Sequence, residues 1–209
     1  MNILIFGASG KLGTLVVKKA LKKGHKVTAF VRNASRLSHK DSNLSIIEGN
    51  VTNREDIKKA LIGHDVVMST VGHKKDTPNG MMKTFAEHIV STMNERNMKR
   101  FITLLGAGVH DPKDPPASFG RKSVLVLMKI VTPRILNDSE DHSRIIRSSN
   151  LDWTIVRPTM LSNESAKGNY KTGYMSPGFT SVSREDVATF MVDVAEKELY
   201  VKEAPIILY

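Results

Sequence analysis

Three glycines near the start of the chain constrain its fold more than any other feature. The segment Gly7-Ala-Ser-Gly-Lys-Leu-Gly13 follows a short apolar run at residues 2–6 and precedes apolar residues at helical spacing in residues 10–23. In a strand–turn–helix unit the first glycine allows the tight turn, the second lets the backbone approach a pyrophosphate, and the third lets helix and strand pack closely. The helix N-terminus then offers free N–H groups to the phosphates. Because the motif lies between a strand and a helix, dinucleotide binding is favoured over a structural glycine-rich turn.

Strand and helix patterns alternate along the whole chain. Apolar runs predict strands at residues 2–6, 27–31, 44–47, 65–69, 100–105, 153–156 and 206–208. Amphipathic or capped segments predict helices at residues 10–23, 52–61, 80–97, 123–131, 139–150 and 183–197, and residues 168–178 read as a loop or hairpin. We therefore predict an α/β fold: a single-domain Rossmann-type doubly wound, mostly parallel sheet with helices on both faces, spanning residues 1–209. A small substrate-side region is expected from about residues 106–135 and 159–182.

Composition excludes several classes of function. The 209 residues carry 31 Lys and Arg against 21 Asp and Glu, a formal charge of +10, but only 6% are aromatic. Five lysines (Lys18, Lys19, Lys22, Lys23 and Lys26) fall on one amphipathic segment without interleaved aromatics, so we interpret them as a solvated helix face and expect no nucleic-acid partner. With no cysteine, disulfides, thiolate metal sites and cysteine nucleophiles are excluded, and no metal site is predicted.

No segment has the pattern of a membrane span or export signal. The longest later apolar run covers residues 124–128, far short of the ~20 residues that cross a bilayer. The apolar start of the chain meets Gly7 too soon for a signal peptide. A cytoplasmic protein without a membrane partner is expected.

The residues after the second predicted strand bear on the choice of dinucleotide. An NAD-dependent enzyme places an acidic residue there to accept from the ribose 2′-hydroxyl. This chain has Arg32 after Val31, then Arg36, and no carboxylate before Asp41. Forked guanidinium donors match the oxygens of a 2′-phosphate, although surface arginines on a loop are the plainer alternative. NADPH is therefore predicted as the preferred cofactor, with NADH as the alternative.

Several segments carry a family resemblance over nearly the whole chain. They are the Gly-x-x-Gly-x-x-Gly pattern, Val31-Arg-Asn33, Glu48-Gly-Asn-Val51, Ser69-Thr-Val-Gly72 and Leu151-Asp-Trp-Thr-Ile-Val-Arg-Pro158. Together they resemble the atypical short-chain dehydrogenase/reductases. Asp141-His142 and Gly168-Asn-Tyr170 are similar to the small NAD(P)H-flavin reductase and biliverdin-IXβ reductase type within that group, to which NmrA-like proteins are related.

The resemblance implies a role for each matching position. The pyrophosphate is expected at Gly7, Ser9, Gly10, Lys11, Leu12 and Gly13, and the 2′-phosphate at Arg32 and Arg36. Asn50, where the family usually has Asp, and Val51 are expected to border the adenine, and Thr70, Val71 and Gly72 to pass beneath the cofactor. The nicotinamide is expected to face Leu104, Leu105 and Gly106, with Arg157, Pro158, Thr159 and Met160 at its carboxamide end.

The departures from the family pattern limit the chemistry. Many relatives use Tyr-x-x-x-Lys, in which lysine lowers the pKa of a tyrosine that handles the proton. None of Tyr170, Tyr174, Tyr200 and Tyr209 has a lysine four residues later. Ordinary alcohol–ketone chemistry with an internal acid is therefore not expected.

Hydride transfer to an acceptor that needs no positioned acid remains. We predict an NAD(P)H-dependent reductase of free flavin (FMN or riboflavin) or of another flat conjugated acceptor such as a quinone or linear tetrapyrrole, acting by orientation of two rings. Candidate substrate contacts are His73, His110, Leu105 and Met160. The alternative is a non-catalytic NADP(H)-sensing regulator of the NmrA-like kind. A monomer or weak homodimer is expected.

Overall fold

A computed structural model describes residues 1–74, 77–116, 130–178 and 180–209. Its elements are, in chain order, β1 (Asn2–Phe6), α1 (Lys11–Lys22), β2 (Lys26–Val31), a 3₁₀ turn (Ala34–Arg36), β3 (Leu44–Glu48), α2 (Arg54–Ala60), β4 (Val66–Ser69), α3 (Met81–Glu95), β5 (Arg100–Leu104), α4 (Pro133–Arg147), β6 (Asp152–Pro158), β7 (Met160–Ser162), β8 (Lys171–Gly173), β9 (Ser181–Ser183), α5 (Arg184–Glu196) and β10 (Ile206–Leu208).

One eight-stranded sheet organises the described residues. Its strand order is β3-β2-β1-β4-β5-β6-β10-β8, and only the β10–β8 pairing is antiparallel. The chain winds outward from β1 to β3 and then returns to place β4 beside β1, with Phe6 opposite Ser69. This reversal opens a crevice at the carboxyl ends of β1 and β4, the position where open α/β sheets bind ligands. The predicted doubly wound fold is confirmed.

Each face of the sheet is covered by helices over its own apolar core. On one face α1 packs against α5, with Val16, Val17 and Met191 among the fully buried side chains. On the other face α3 packs against α2 and α4, and Phe85 is fully buried there. Burial of these side chains supplies the main driving force for the fold.

Two predicted elements differ from the structure. Helix α4 begins at Pro133, a residue suited to the first turn because it lacks an N–H, so Ser139 lies inside the helix rather than at its start. The segment predicted as a loop or hairpin at residues 168–178 contains β8, which pairs with β10, a strand distant in sequence. The helix predicted at residues 123–131 falls almost wholly outside the described residues. None of the described helices is long and apolar enough to cross a membrane.

Candidate cofactor site

The turn between β1 and α1 depends on glycine at both of its ends. Gly7 adopts φ +75°, a left-handed conformation that side chains disfavour. A Cβ atom on Gly13 would lie 2.2 Å from the Gly7 carbonyl oxygen and 2.9 Å from the Ala8 Cα. Close packing of helix on strand therefore requires glycine at position 13, as the motif predicts.

The start of α1 is open to an anion. Its N-cap, Gly10, has no side chain to accept from the first-turn N–H groups, and the first turn contains no acidic residue. By contrast, Asn53 caps α2 and Ser183 caps α5 with their side chains, and both helices carry acidic residues in the first turn. Free N–H groups and the helix dipole make the α1 terminus suitable for a phosphate.

Thr70 joins the turn to the neighbouring strand. Its hydroxyl oxygen Oγ1 lies 3.2 Å from each of the Phe6 and Gly7 carbonyl oxygens, and its backbone N–H donates to Phe6 at 3.0 Å. The segment that follows β4 is thereby held against the glycine turn at the topological crevice.

A cavity of about 280 Å³ lies along this crevice. Its volume is near the lower end of the ~300–1,000 Å³ found for ligand pockets. The expected cofactor residues that line it are Gly7, Ser9, Gly10, Arg32, Asn50, Val51, Thr70, Val71 and Gly72. The cavity is also lined by residues for which the sequence predicted no cofactor contact: Phe30, Val31, Thr52, Lys74, Thr77, Pro78 and Met81.

The charges around this cavity suit a polyanion. Arg32 and Lys74 both line it, and no Asp or Glu is among its described lining residues. Arg36 is exposed and is not among those lining residues. The backbone of Lys74 is fixed by a turn in which its N–H donates to Thr77 Oγ1 at 2.7 Å. No helix or strand pattern marks residue 74, which is why sequence reasoning missed it.

Asn50 has a local structural role at the expected adenine end. Its side-chain oxygen Oδ1 accepts from the backbone N–H and the hydroxyl of Thr52 at 3.1 and 3.0 Å. Its own N–H donates to Asp56 at 2.9 Å. These bonds fix the turn after β3, and Phe30 lines the same cavity as an apolar wall.

The expected nicotinamide end needs two corrections. The Leu105 side chain is 4% exposed and packs in the α2–α3–α4 core, because residues 101, 103 and 105 alternate onto that face, so it cannot serve as a floor for a ring. The Arg157 guanidinium is fully buried and bonded to Asp114, Val109 and Ala204, so its side chain is not available to a carboxamide. Both are structural residues.

Neighbouring positions at the end of β6 differ in burial and in hydrogen bonding. The buried Thr159 hydroxyl has no hydrogen-bond partner among the described residues. It is therefore able to form a hydrogen bond with a carboxamide. Pro158 is buried and its carbonyl accepts from Ala107 at 3.0 Å, which ties the segment after β5 to β6. Leu104 is partly buried against the α1–α5 core. Met160 is 61% exposed and open to a substrate.

A second cavity of about 480 Å³ shares the glycine turn with the first. Its lining includes Ser9, Gly10 and the expected phosphate residue Lys11, together with Arg184 and Glu164. Leu12, by contrast, points into the α1–α5 core and is 6% exposed, so only its backbone can face a phosphate.

The candidate histidines lie in different environments. His73 Nε2 is 2.9 Å from Asp138 Oδ2, and its side chain is 16% exposed. His110 is exposed, and its backbone N–H donates to Glu140. His142 is fully buried in α4, where desolvation lowers its pKa to about 4. Asp138 carries no motif, so nothing in the sequence indicated the pairing with His73.

The side chains of all four tyrosines pack or form hydrogen bonds within the fold, and Tyr170 contacts the Phe190 ring. The Tyr174 hydroxyl accepts from Ala204 N–H at 2.9 Å, Tyr200 bonds to Thr172, and Tyr209 bonds to Asp186. Burial raises the pKa of Tyr170 and of Tyr174. Lys113 and Lys167 lie over the rings of Tyr174 and Tyr209, with Nζ 5.3 and 4.5 Å from the ring centroids, but the hydroxyls of both tyrosines are bonded within the fold.

A family model described as NAD(P)H-binding matches residues 7–198. The chain belongs to the NAD(P)H-binding family. A protein of Bacillus subtilis, YwnB, is 28% identical over 213 residues, covering 94% of this chain and 92% of that protein. Plant isoflavone reductase homologues match over a shorter segment, 34% of their own length.

Solved structures share the fold over the full chain. A short-chain dehydrogenase/reductase of Veillonella parvula in complex with NADP has a TM-score of 0.81 and 21% identity, covering 100% of this chain and 94% of that one. The anaerobilin reductase ChuY of Escherichia coli O157:H7 has a TM-score of 0.80 and 19% identity, covering 100% and 97%. This NAD(P)H-binding chain therefore has the fold of a group that includes reductases.

Proposed function

We propose that this protein is an NADPH-dependent reductase of a flat conjugated acceptor, with free flavin, quinones and linear tetrapyrroles as the candidate classes. The observation that carries the proposal is the cavity between the glycine turn and β4, with Arg32 and Lys74 on its walls and no described carboxylate. The names of the similar proteins, several of them reductases, support it.

The residues present fit the dinucleotide in three places. The uncapped α1 terminus and the glycine turn would hold the pyrophosphate. Arg32, the first residue after β2, would pair with a 2′-phosphate. The buried Thr159 hydroxyl, which has no hydrogen-bond partner among the described residues, would bond to the carboxamide. When bound, reduced nicotinamide supplies a hydride.

The protein's contribution to such a reaction is mainly orientation. Holding donor and acceptor rings in contact avoids the entropy cost of a bimolecular encounter. The exposed Met160 and partly buried Leu104 offer apolar surface for the acceptor, whereas Leu105 does not.

Steady-state NADPH oxidation with FMN, riboflavin, a quinone and biliverdin offered separately tests the proposal. Turnover with at least one acceptor, weakened with NADPH by Arg32→Glu, is expected. NADP(H) binding without oxidation by any of the four would overturn it and favour the sensor.

A further inference from the structure

A reductase of this kind needs a source for the proton that accompanies the hydride, and the acceptor decides how much that source matters. An isoalloxazine spreads the added charge over its ring system, so solvent can supply the proton. A conjugated carbonyl concentrates charge on one oxygen, and a positioned acid then accelerates the reaction. Three tyrosine hydroxyls are bonded within the fold, and burial makes the fourth, Tyr170, a weaker acid by raising its pKa, so another side chain is the better candidate for this acid.

His73 lies next to the cofactor cavity along the chain, although it is not among the described residues that line it. It lies in the segment after β4, at the carboxyl edge of the sheet, between Gly72 and Lys74, which both line the cofactor cavity. Its side chain keeps 16% of its surface exposed, while its partner Asp138 keeps only 4%. The ring therefore joins a buried carboxylate to the accessible edge.

The Asp138 carboxylate is positioned by hydrogen bonds from helix α3. It accepts from the backbone N–H groups of Met82 and Lys83 at 3.0 and 2.9 Å, in the first turn of α3. The residue before α3, Gly80, has no side chain to cap that turn. With three donors around it, the carboxylate is fixed in position and fixes the plane of the His73 ring.

The hydrogen bonds determine which nitrogen faces an acceptor. A carboxylate only accepts, so the proton between His73 and Asp138 resides on Nε2. Among the described residues, no partner bonds to Nδ1 of His73. Nδ1 is therefore the ring nitrogen that remains available to an acceptor.

His142, the other histidine near Asp138, cannot donate a proton to an acceptor. Its Nδ1 donates to the Met82 carbonyl at 2.9 Å and its Nε2 accepts from Thr103 at 3.2 Å. It is fully buried, and desolvation keeps it neutral by lowering its pKa to about 4.

We propose that His73 is the proton donor of this reductase and Asp138 the residue that positions it, so that the acceptor is a conjugated carbonyl compound of the quinone or enone class. This inference rests on the proposed NADPH-dependent reduction. The acceptor takes a hydride from the reduced nicotinamide, an electron pair moves onto the carbonyl oxygen, and that oxygen forms an O–H bond with the proton of His73 Nδ1. The dinucleotide is oxidised, the carbonyl compound is reduced, and neutral His73 regains a proton from water.

The test compares menadione with FMN under anaerobic conditions. His73→Gln keeps a donor for Asp138 but cannot deliver the proton, and it is expected to lower kcat with menadione by ~100-fold. The rate with FMN is expected to fall much less, because solvent can supply that proton. Asp138→Asn is expected to give a smaller loss with menadione alone.

The matched control is His25→Gln. His25 also pairs with a carboxylate, Glu196, at 2.9 Å, but it precedes β2 at the opposite edge of the sheet. This variant is expected to reduce both acceptors normally.

A second readout needs no turnover. With NADP⁺ bound, addition of menadione is expected to change the ¹⁵N chemical shifts of the His73 ring and not those of His25. Equal losses with both acceptors, unchanged menadione reduction in His73→Gln, an unperturbed His73 ring, or a wild-type protein that reduces FMN but not menadione would each overturn the inference. A wild-type protein that reduces biliverdin alone would also overturn the inference, whereas one that reduces none of FMN, riboflavin, a quinone and biliverdin would overturn the proposed function, and this inference with it.

Discussion

The guanidinium of Arg157 forms a two-pronged ion pair with the carboxylate of Asp114, with N···O distances of 2.8 and 2.7 Å. Neither side chain keeps more than 2% of its surface exposed. Two of the remaining three guanidinium hydrogens go to the Val109 and Ala204 carbonyls, both at 2.8 Å. The ion pair therefore links the segment after β5 to β6, beside the expected nicotinamide end of the cofactor site.

Removal of the acid from this pair should destabilise the protein strongly. Asp114→Ala leaves the Arg157 charge buried without its counter-charge, which costs about 3–5 kcal/mol of the free energy of unfolding. Urea unfolding measures the change. The adjacent Lys113→Ala, in an exposed pair with Glu203, serves as control and should leave the unfolding midpoint in place. Equal effects of the two substitutions would contradict the structural role of the Arg157–Asp114 pair.

Gly13→Ala should impair folding and cofactor binding together. The new Cβ would meet the Gly7 carbonyl oxygen at 2.2 Å, so the turn must shift, at a cost of about 1–3 kcal/mol. Gly72→Ala, where no atom lies within 4 Å of the added Cβ, should leave the thermal unfolding temperature unchanged. Differential scanning calorimetry separates the two variants, and a fully stable Gly13→Ala protein would show that the turn is looser than described.

Arg32→Gln should weaken NADPH binding selectively. Loss of a charge-assisted hydrogen bond, about 1.5–3 kcal/mol, corresponds to roughly a 10- to 100-fold higher Kd. Affinity for NADH should change little, since NADH lacks the 2′-phosphate. Arg36→Gln, outside the cavity lining, should have the smaller effect. Calorimetric titration of each variant with NADPH and with NADH measures these Kd values. A parallel loss of NADPH and NADH affinity would argue against a 2′-phosphate contact.

His142 should make the protein less stable in mild acid. Because burial lowers its pKa from 6.5 to about 4, the folded state binds fewer protons than the unfolded state. Its contribution is complete above pH 6.5 and is lost as the pH falls towards 4, by roughly 3 kcal/mol in total. His142→Gln should therefore have a flatter dependence of the free energy of unfolding between pH 7 and pH 4 than the wild type. Superimposable pH profiles for the two proteins would refute this.

The local elements were predictable because their signals are local. Strand β1, the glycine turn and helix α1 follow from apolar spacing and from three glycines within seven residues. The capping of α5 by Ser183, which accepts from Asp186 N–H, was likewise visible as a short polar signature before a helical run. Such signals depend on neighbours in sequence, so no tertiary information is needed.

Long-range pairings were not predictable in the same way. Arg157 was expected at the cofactor, but its partner Asp114 lies 43 residues earlier and no pattern links them. Strand β8 is defined by pairing with β10 rather than by its own short sequence. Leu105 could have been placed correctly, since strand alternation puts it on the same face as the buried Phe101.

The central claim is tested most directly by following a deuterium atom from C4 of NADPH into 5-deazariboflavin, a flavin analogue that retains the transferred hydrogen on carbon. With enzyme in stoichiometric amount, deuterium is expected to reach the analogue from only one of the two C4 positions, because a bound nicotinamide presents a single face to the acceptor. Label from both positions would contradict direct hydride transfer from a dinucleotide bound in this cleft, and no reduction of the analogue with NADPH bound would exclude flavin as the acceptor.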